Sequence, residues 1–184
     1  MKTIAFVTSN RNKVREANEI LKEFDLFADH KTMPVSEIQS DNVEEIARHS
    51  ALEAYVKLRL PLIVEDAGLF IQHLAGFPGA YSAYVHSTIG NAGILKLMDG
   101  VANRKAVFRS AVAYCGHPNR VLTFAGSVLG QISTEERGRG WGYDPIFCPR
   151  GFNETYAEMG HSKNEISHRK ISIEKFARWF VSHS

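Results

Sequence analysis

Leu62-Ile63-Val64-Glu65-Asp66-Ala67-Gly68-Leu69 is the stretch from which the fold is read. Its first three residues are apolar and two of them are β-branched, the pattern of a short buried strand. Two acids follow at once, and Gly68 comes two residues after Asp66. A strand that ends in Glu-Asp and turns at a glycine carries negative charge at its carboxyl end, where open α/β sheets hold their ligands. Successive strand side chains point to opposite faces. Glu65 and Asp66 therefore serve one site only if the chain bends, which Gly68 permits. Two readings stay open at this point. One is an acidic turn after a core strand. The other is a hard-metal site or a general base, since carboxylate oxygens suit Mg²⁺ and an aspartate can take a proton from water.

Upstream, Thr3 to Thr8 reads as a strand, Ser9 to Asn12 as a turn, and the chain from Lys13 as a helix. Val14, Ala17, Leu21 and Phe24 recur at helical spacing, with Arg15, Glu16, Glu19 and Lys22 covering the other side. In a strand–loop–helix unit the first helical N–H groups are unpaired and favour an anion. Thr8, Ser9 and Asn10 add hydrogen-bonding side chains, and Lys13 adds a charge. The G-x-x-x-x-G-K-[ST] pattern of a P-loop is absent. The plainer reading is that Ser9 or Asn10 only caps the helix.

A strand is expected over Leu26 to Met33, then a loop from Pro34 to Ser40 whose lone acid is Glu37. Asp41-Asn42-Val43-Glu44 resembles a capping box headed by Asp41. The helix after it carries Ile46, Ser50, Ala51, Ala54, Tyr55 and Leu58 on one face and ends before Pro61. Beyond the acidic pair, Leu69 to Leu74 suggests one helical turn, and Ala75 to Tyr81 a Gly/Pro loop. Ile89 to Met98 suggests a short helix. Lys105 to Cys115 and Val121 to Ile132 flank the turn Gly116-His117-Pro118-Asn119 as a hairpin. Ser133 to Gly140 is charged and glycine-rich and is expected to be mobile; Pro145 to Phe147 is expected to be extended. Ile171, Phe176, Ala177, Phe180 and Val181 mark a closing amphipathic helix. Strands alternating with helices, plus one hairpin, predict an α/β protein with a mixed β-sheet and flanking helices.

The 184 residues suffice for one sizeable core, and a net charge of +2 offers no polycation for nucleic acid or membrane. Cys115 and Cys148 are too few and too far apart for a disulfide framework or zinc knuckle. The apolar run Ile4 to Val7 is too short for a signal peptide, and no run would span a bilayer. The expectation is a soluble, cytoplasmic protein.

Two clusters near the carboxyl end carry further chemistry. In Gly140-Trp141-Gly142-Tyr143-Asp144-Pro145 two aromatics flank a glycine. Either they anchor the loop to the core, or they stack on a nucleobase, a contact of roughly 1–3 kcal/mol. In Lys163-Asn164-Glu165-Ile166-Ser167-His168-Arg169-Lys170 several cations precede the last helix. A solvated basic helix start is the usual case. Cations there oppose the helix dipole unless an anion is present, and phosphate would supply one.

Thr8-Ser9-Asn10-x-x-Lys13, Glu65-Asp66-x-Gly68-Leu69, Gly76-x-Pro78-Gly79-x-Tyr81-Ser82, Gly142-Tyr143-Asp144-Pro145 and Lys163-Asn164-x-x-Ser167-His168-Arg169 occur in this order. Together they closely resemble the inosine triphosphate pyrophosphatase family, the non-canonical purine NTP pyrophosphatases, over essentially the whole chain. The resemblance implies an elongated ITPase-like fold, a single domain over residues 1–184 with two lobes around a central cleft, and a homodimer. It implies Mg²⁺-dependent hydrolysis of ITP, dITP and XTP to the monophosphate and pyrophosphate. By position, Asp66 matches the proton acceptor and a metal ligand. Glu37 matches the other metal carboxylate, and Glu65 would add to the metal's field. Thr8, Ser9, Asn10, Arg11, Asn12 and Lys13 match the phosphate-binding loop. Trp141, Gly142, Tyr143 and Asp144 match the base-binding segment, and Lys163, His168 and Arg169 the remaining substrate contacts.

Three positions depart from the family's commoner residues. Ala67 stands where a hydroxyl residue is usual, leaving only its backbone to contribute. Tyr84 stands where many members have Arg and is assigned no role. Trp141 replaces Phe and keeps a stacking surface. A donor from His168 or Arg169 would suit the 6-oxo group of hypoxanthine and xanthine and reject adenine's amino group. The other readings are a related house-cleaning pyrophosphatase for a different modified nucleotide, and a nucleotide-binding module without catalysis.

Overall fold

The computed structural model describes residues 1–36 and 38–183. The first strand, β1 (Lys2–Val7), is buried from Ile4 to Val7, as an apolar run should be when both faces of a strand are covered. It pairs in parallel with β2 (Leu26–Lys31) after the crossover α1 (Arg11–Leu21). Helix α2 (Val43–Leu58) leads to β3 (Leu62–Ile71), which lies parallel to β1 with Ala5 opposite Leu62 and Phe6 opposite Ile63.

Helix α1 starts at Arg11, two residues before the expected Lys13, because Asn10 caps it. Its buried residues are Glu16, Ala17, Ile20 and Leu21, so Glu16 faces inward rather than solvent. Phe24 lies beyond the helix in the 3₁₀ turn Lys22–Phe24. The cap of α2 is Asn42, not Asp41: the Asn42 side chain accepts from the Glu44 N–H at 2.9 Å. Arg59 closes that helix in the left-handed region, φ 55°, with its N–H on the Tyr55 carbonyl, before Pro61.

The largest departure from the sequence expectation concerns β3. It does not stop at Glu65-Asp66 but runs ten residues, to Ile71. Gly68 is therefore not a bend. A side chain there would drive into the Gly79 carbonyl, because β4 (Pro78–Gly79) pairs antiparallel with Leu69 and Phe70. Ser82 fastens the two segments: its hydroxyl donates to the Gly79 carbonyl at 2.7 Å and accepts from the Leu69 N–H at 2.8 Å. Leu69 to Ile71 is strand, and only Gln72–Leu74 makes the helical turn.

Two helices follow, α3 (Ser82–Thr88), unanticipated, and α4 (Gly90–Leu97). The hairpin is as expected but longer: β5 (Lys105–His117), the turn Pro118-Asn119, and β6 (Arg120–Ile132). The segment expected to be mobile is pinned. Ser133 N–H reaches the Ile146 carbonyl and Arg137 N–H the Pro145 carbonyl, both at 2.9 Å, and Gly138 lies against Ala157. Asp144–Ile146 is a 3₁₀ turn rather than extended chain, and β7 (Phe147–Pro149) pairs antiparallel with β6. Then come α5 (Tyr156–Met159), opened by a Thr155/Glu158 capping box, α6 (Lys163–Ile166) and α7 (His168–His183). The open mixed sheet has the order β2-β1-β3-β5-β6-β7, with β4 attached to β3.

The chain divides into two compact units. The first comprises residues 1–66, 110–126 and the segment from His168 onward; the second comprises 67–109 and 127–167. The first unit's core gathers Ile4, Phe6, Ile20, Leu21, Leu26, Ile63, Val112, Ile173 and Phe176. Helix α7 buries Ile173, Phe176 and Ala177, whereas Val181, expected on that face, is 47% exposed. The second unit's core gathers Leu69, Ile71, Ile94, Met98, Phe108, Tyr143, Phe147 and Tyr156.

Candidate active site

In the first unit the strand–loop–helix start is built around Asn10. Its side chain accepts from the N–H groups of Asn12 and Lys13 at 2.9 and 3.4 Å, so the plainer reading of Asn10 as a cap holds. The Thr8 hydroxyl accepts the Asn10 N–H at 3.1 Å, and His30 Nε2 lies 2.9 Å from the Thr8 carbonyl. Thr8, Ser9, Asn10, Arg11 and Asn12 thus form one tight corner, and Lys13 projects from the first turn of α1.

Lys13 does not point at random into solvent. Its ammonium lies 2.8 Å from Glu65 Oε2 and donates to the Glu65 main-chain carbonyl at 2.9 Å. Glu65 is wholly enclosed, with 0% side-chain exposure, and also meets Arg169 at 3.2 Å and the Ser110 hydroxyl at 2.6 Å. Arg169 in turn holds Glu16 at 2.6 Å. Burial by itself would raise the Glu65 pKa. The charges of Arg169 and Lys13 and the hydrogen bonds from Lys13 and Ser110 outweigh it and hold the carboxyl well below the usual range.

This network resolves the conflict of cations at a helix amino end. Arg169 at the start of α7 is 2% exposed and its counter-anions are Glu16 and Glu65, so the basic cluster is no solvated helix start. His168 is equally buried. Glu65 is committed to its cationic partners, and as strand neighbours Glu65 and Asp66 point to opposite faces. Asp66 stays half-buried. The Lys13 ammonium grips the carbonyl of the Glu65–Asp66 peptide, so the cation of the helix start and the acid lie one peptide apart.

Three residues of this network escaped the sequence reading. Ser110 bridges Glu65 and the Ser172 hydroxyl, the latter at 2.9 Å. Neither serine carries a local signal. Glu16 does: it sits four residues before Ile20, inside the apolar arc, where a charge is kept only with a partner.

In the second unit the Trp141–Asp144 turn splits into two roles. Tyr143 is 3% exposed; its hydroxyl donates to the Ser82 carbonyl at 3.1 Å and its ring meets His86 edge-on at 5.2 Å. Burial pushes the Tyr143 phenol up and keeps it neutral. Tyr143 is thus the anchor, whereas Trp141 is half-buried. Gly142 has φ +61°, a conformation that favours glycine. Lys163 is 3% exposed, pairs with Asp144 at 2.6 Å and lies 5.2 Å from the Trp141 ring centre. Ala67 lies half-buried in β3.

Among the described residues no group of three or more His, Cys, Asp or Glu side chains converges to hold a metal. Glu37 lies outside the described residues. A Mg²⁺ ion needs no such cage, since it is commonly held by one or two carboxylates together with substrate phosphates and water. Asp66 supplies a hard oxygen of that kind.

The class defined so far is an open-sheet α/β protein with a capped helix start, a lysine and an acid close together at its first and third strands. The same fold occurs in a HAM1 protein from Coxiella burnetii, with TM-score 0.86 and 28% identity over 99% of this chain and 100% of that one. It occurs also in the Ham1 protein of Staphylococcus aureus, with TM-score 0.84 and 25% identity over all of both chains. The chain belongs to the Ham1 family, whose model matches residues 4–179. A relative from Methanopyrus kandleri, named a dITP/XTP pyrophosphatase, is 49% identical over 98% of this chain and 97% of its own.

Proposed function

We propose that this protein hydrolyses non-canonical purine nucleoside triphosphates, namely ITP, dITP and XTP, to the monophosphate and pyrophosphate, removing them from the nucleotide pool. The near full-length relationship to dITP/XTP pyrophosphatases supports the activity. The observation that carries the chemistry is the Lys13 ammonium on the Glu65–Asp66 peptide. It sets a cation suited to phosphate one peptide from Asp66, a carboxylate that can take a proton from water.

The corner Thr8–Lys13 receives phosphate through the Thr8 and Ser9 hydroxyls and the Lys13 charge, since the N–H groups of Asn10, Asn12 and Lys13 are bonded within the corner. Glu65, fixed by Arg169 and Ser110, holds Lys13 in place. Asp66 orients a water and accepts its proton as the water oxygen bonds to the α-phosphorus and the α–β bridging bond breaks. Pyrophosphate leaves with the bridging electron pair. Mg²⁺ is the proposed cofactor; Asp66, with Glu37 by resemblance, would hold it, and it would offset charge on the phosphate chain. In the second unit, Trp141 offers a stacking face and the turn through Asp144 the edge that reads the purine. Ala67, Lys163 and His168 remain substrate contacts in this reading, with Arg169 supporting from within.

Location and assembly belong to the same proposal. No helix of the described residues is long and apolar enough to cross a membrane, and a cytoplasmic homodimer is the expected form, checked by sedimentation. The test of function is pyrophosphate release from ITP, dITP, XTP, ATP and GTP, with and without Mg²⁺. Wild type should favour the first three. Asp66→Asn should fold normally and lose most turnover; hydrolysis near the wild-type rate would refute the role given to Asp66.

A further inference from the structure

Two short helices hold the Trp141–Asp144 turn by three contacts. From α3, the Ser82 carbonyl accepts the Tyr143 hydroxyl, and His86 meets the Tyr143 ring edge-on. From α4, Asn91 Nδ2 donates to the Gly142 carbonyl at 3.1 Å. The Tyr143 contacts anchor a core side chain. The Asp144 N–H closes the turn onto the Trp141 carbonyl at 3.3 Å, and the Asn91 contact adds a grip on its backbone from a neighbouring helix, at the residue whose φ of +61° reverses the chain. A Cβ built on Gly142 meets nothing within 4 Å among the described residues, so none of them packs against that peptide from its side-chain direction. Its carbonyl contact with Asn91 orients it together with the Trp141–Asp144 hydrogen bond that closes the turn.

Asn91 gains the fold little in return. Its Oδ1 is buried without a hydrogen-bond partner among the described residues. The amide cannot simply be reversed, because that would set its oxygen against the Gly142 carbonyl. A buried acceptor left without a donor offsets about what one net hydrogen bond contributes. A half-satisfied amide is a poor device for stability but a good one for aiming a peptide plane.

We infer that Asn91 is a positioning residue for base selection: by holding the Gly142 carbonyl it fixes the plane of the turn against which the purine is read. It touches no substrate and acts through Trp141, Gly142 and Tyr143. This inference rests on the proposed function, in which that turn receives the base. Recognition by hydrogen bonds along a base edge fails with displacements near 1 Å. Loosening Gly142 should therefore weaken discrimination more than chemistry, which is assigned to Lys13 and Asp66.

The test is steady-state kinetics with ITP and ATP on wild type, Asn91→Ala, Asn91→Asp and Asn91→Gln, alongside thermal melts. In Asn91→Ala, KM for ITP should rise roughly three- to tenfold, the scale of one lost hydrogen bond. The ITP-to-ATP ratio of kcat/KM should fall, while kcat and Tm change little. Asn91→Asp sets an acceptor against the carbonyl and should be worse; Asn91→Gln keeps a donor and should recover part of the ratio. An unchanged ratio and KM in Asn91→Ala would overturn the inference. So would a fall in kcat on both nucleotides that tracks a lower Tm, or, if Asn91→Ala does not fold, an Asn91→Asp variant that folds and keeps wild-type selectivity. A wild-type protein that releases no pyrophosphate from ITP would instead remove the proposed function, and this inference with it.

Discussion

Replacing Glu65 by Gln tests the centre of the first unit. The buried assembly is balanced, with Lys13 and Arg169 against Glu16 and Glu65. Gln keeps the shape and an acceptor for Ser110 but removes one negative charge. Arg169 retains Glu16 at 2.6 Å, while Lys13 retains only the Glu65 carbonyl at 2.9 Å. Removing one member of a buried ion pair costs about 3–5 kcal/mol. The Lys13 side chain is 16% exposed and can relax toward water, which puts the expected loss at the lower end, about 3 kcal/mol. In a chain of this length that lowers Tm by about 6–12 °C. Urea denaturation and thermal melts at pH 7 would measure it. A cycle with Lys13→Met should show a coupling of about 1–3 kcal/mol, because the double variant is again neutral.

The same change has an acid signature. The Glu65 carboxyl has its pKa depressed in the folded state. The unfolded chain takes up that proton first, near its ordinary value of about 4.3. The contribution is complete above that pH and is lost as pH falls through the depressed folded value. The stability gap between wild type and Glu65→Gln should therefore shrink as pH drops below about 4. A variant within about 1 kcal/mol of wild type at neutral pH, or a gap that does not shrink in acid, would refute the reasoning.

Two further changes probe the rest of the frame. Lys163→Met takes the ammonium from Asp144, which is 6% exposed, and should cost about 3 kcal/mol by denaturation; adding Asp144→Asn should restore most of it, and no restoration would argue against the pair. Gly126→Ala would push a methyl into the His168 carbonyl and Ser172 N–H at the start of α7. It should cost about 1–3 kcal/mol, and wild-type stability would mean that β6 and α7 are not so closely apposed.

Much of the fold was legible because its signals are local. Apolar runs marked β1 and the start of β3, helical spacing marked α1 and α2, and Pro61 marked where α2 must stop. The turn residues Pro118-Asn119 marked the hairpin. The errors were also local in origin. Asp41 and Asn42 are both good caps, and only the helix's path selects Asn42. Gly68 reads as a bend by sequence, yet it serves a close approach of Gly79 that Ser82 holds from thirteen residues away.

The sequence by itself determined most of the strands and helices, the capped corner at Thr8–Lys13, the acid pair and the aromatic turn, since each is written in neighbouring residues; it did not show β4 or α3. Only the tertiary structure decided how the charges are matched. Glu16 and Arg169 stand 153 positions apart, and Lys13 meets Glu65 across 52. A charge's partner depends on which segments the folded core brings together, and burial makes the pairing obligatory because an isolated ion cannot leave water cheaply.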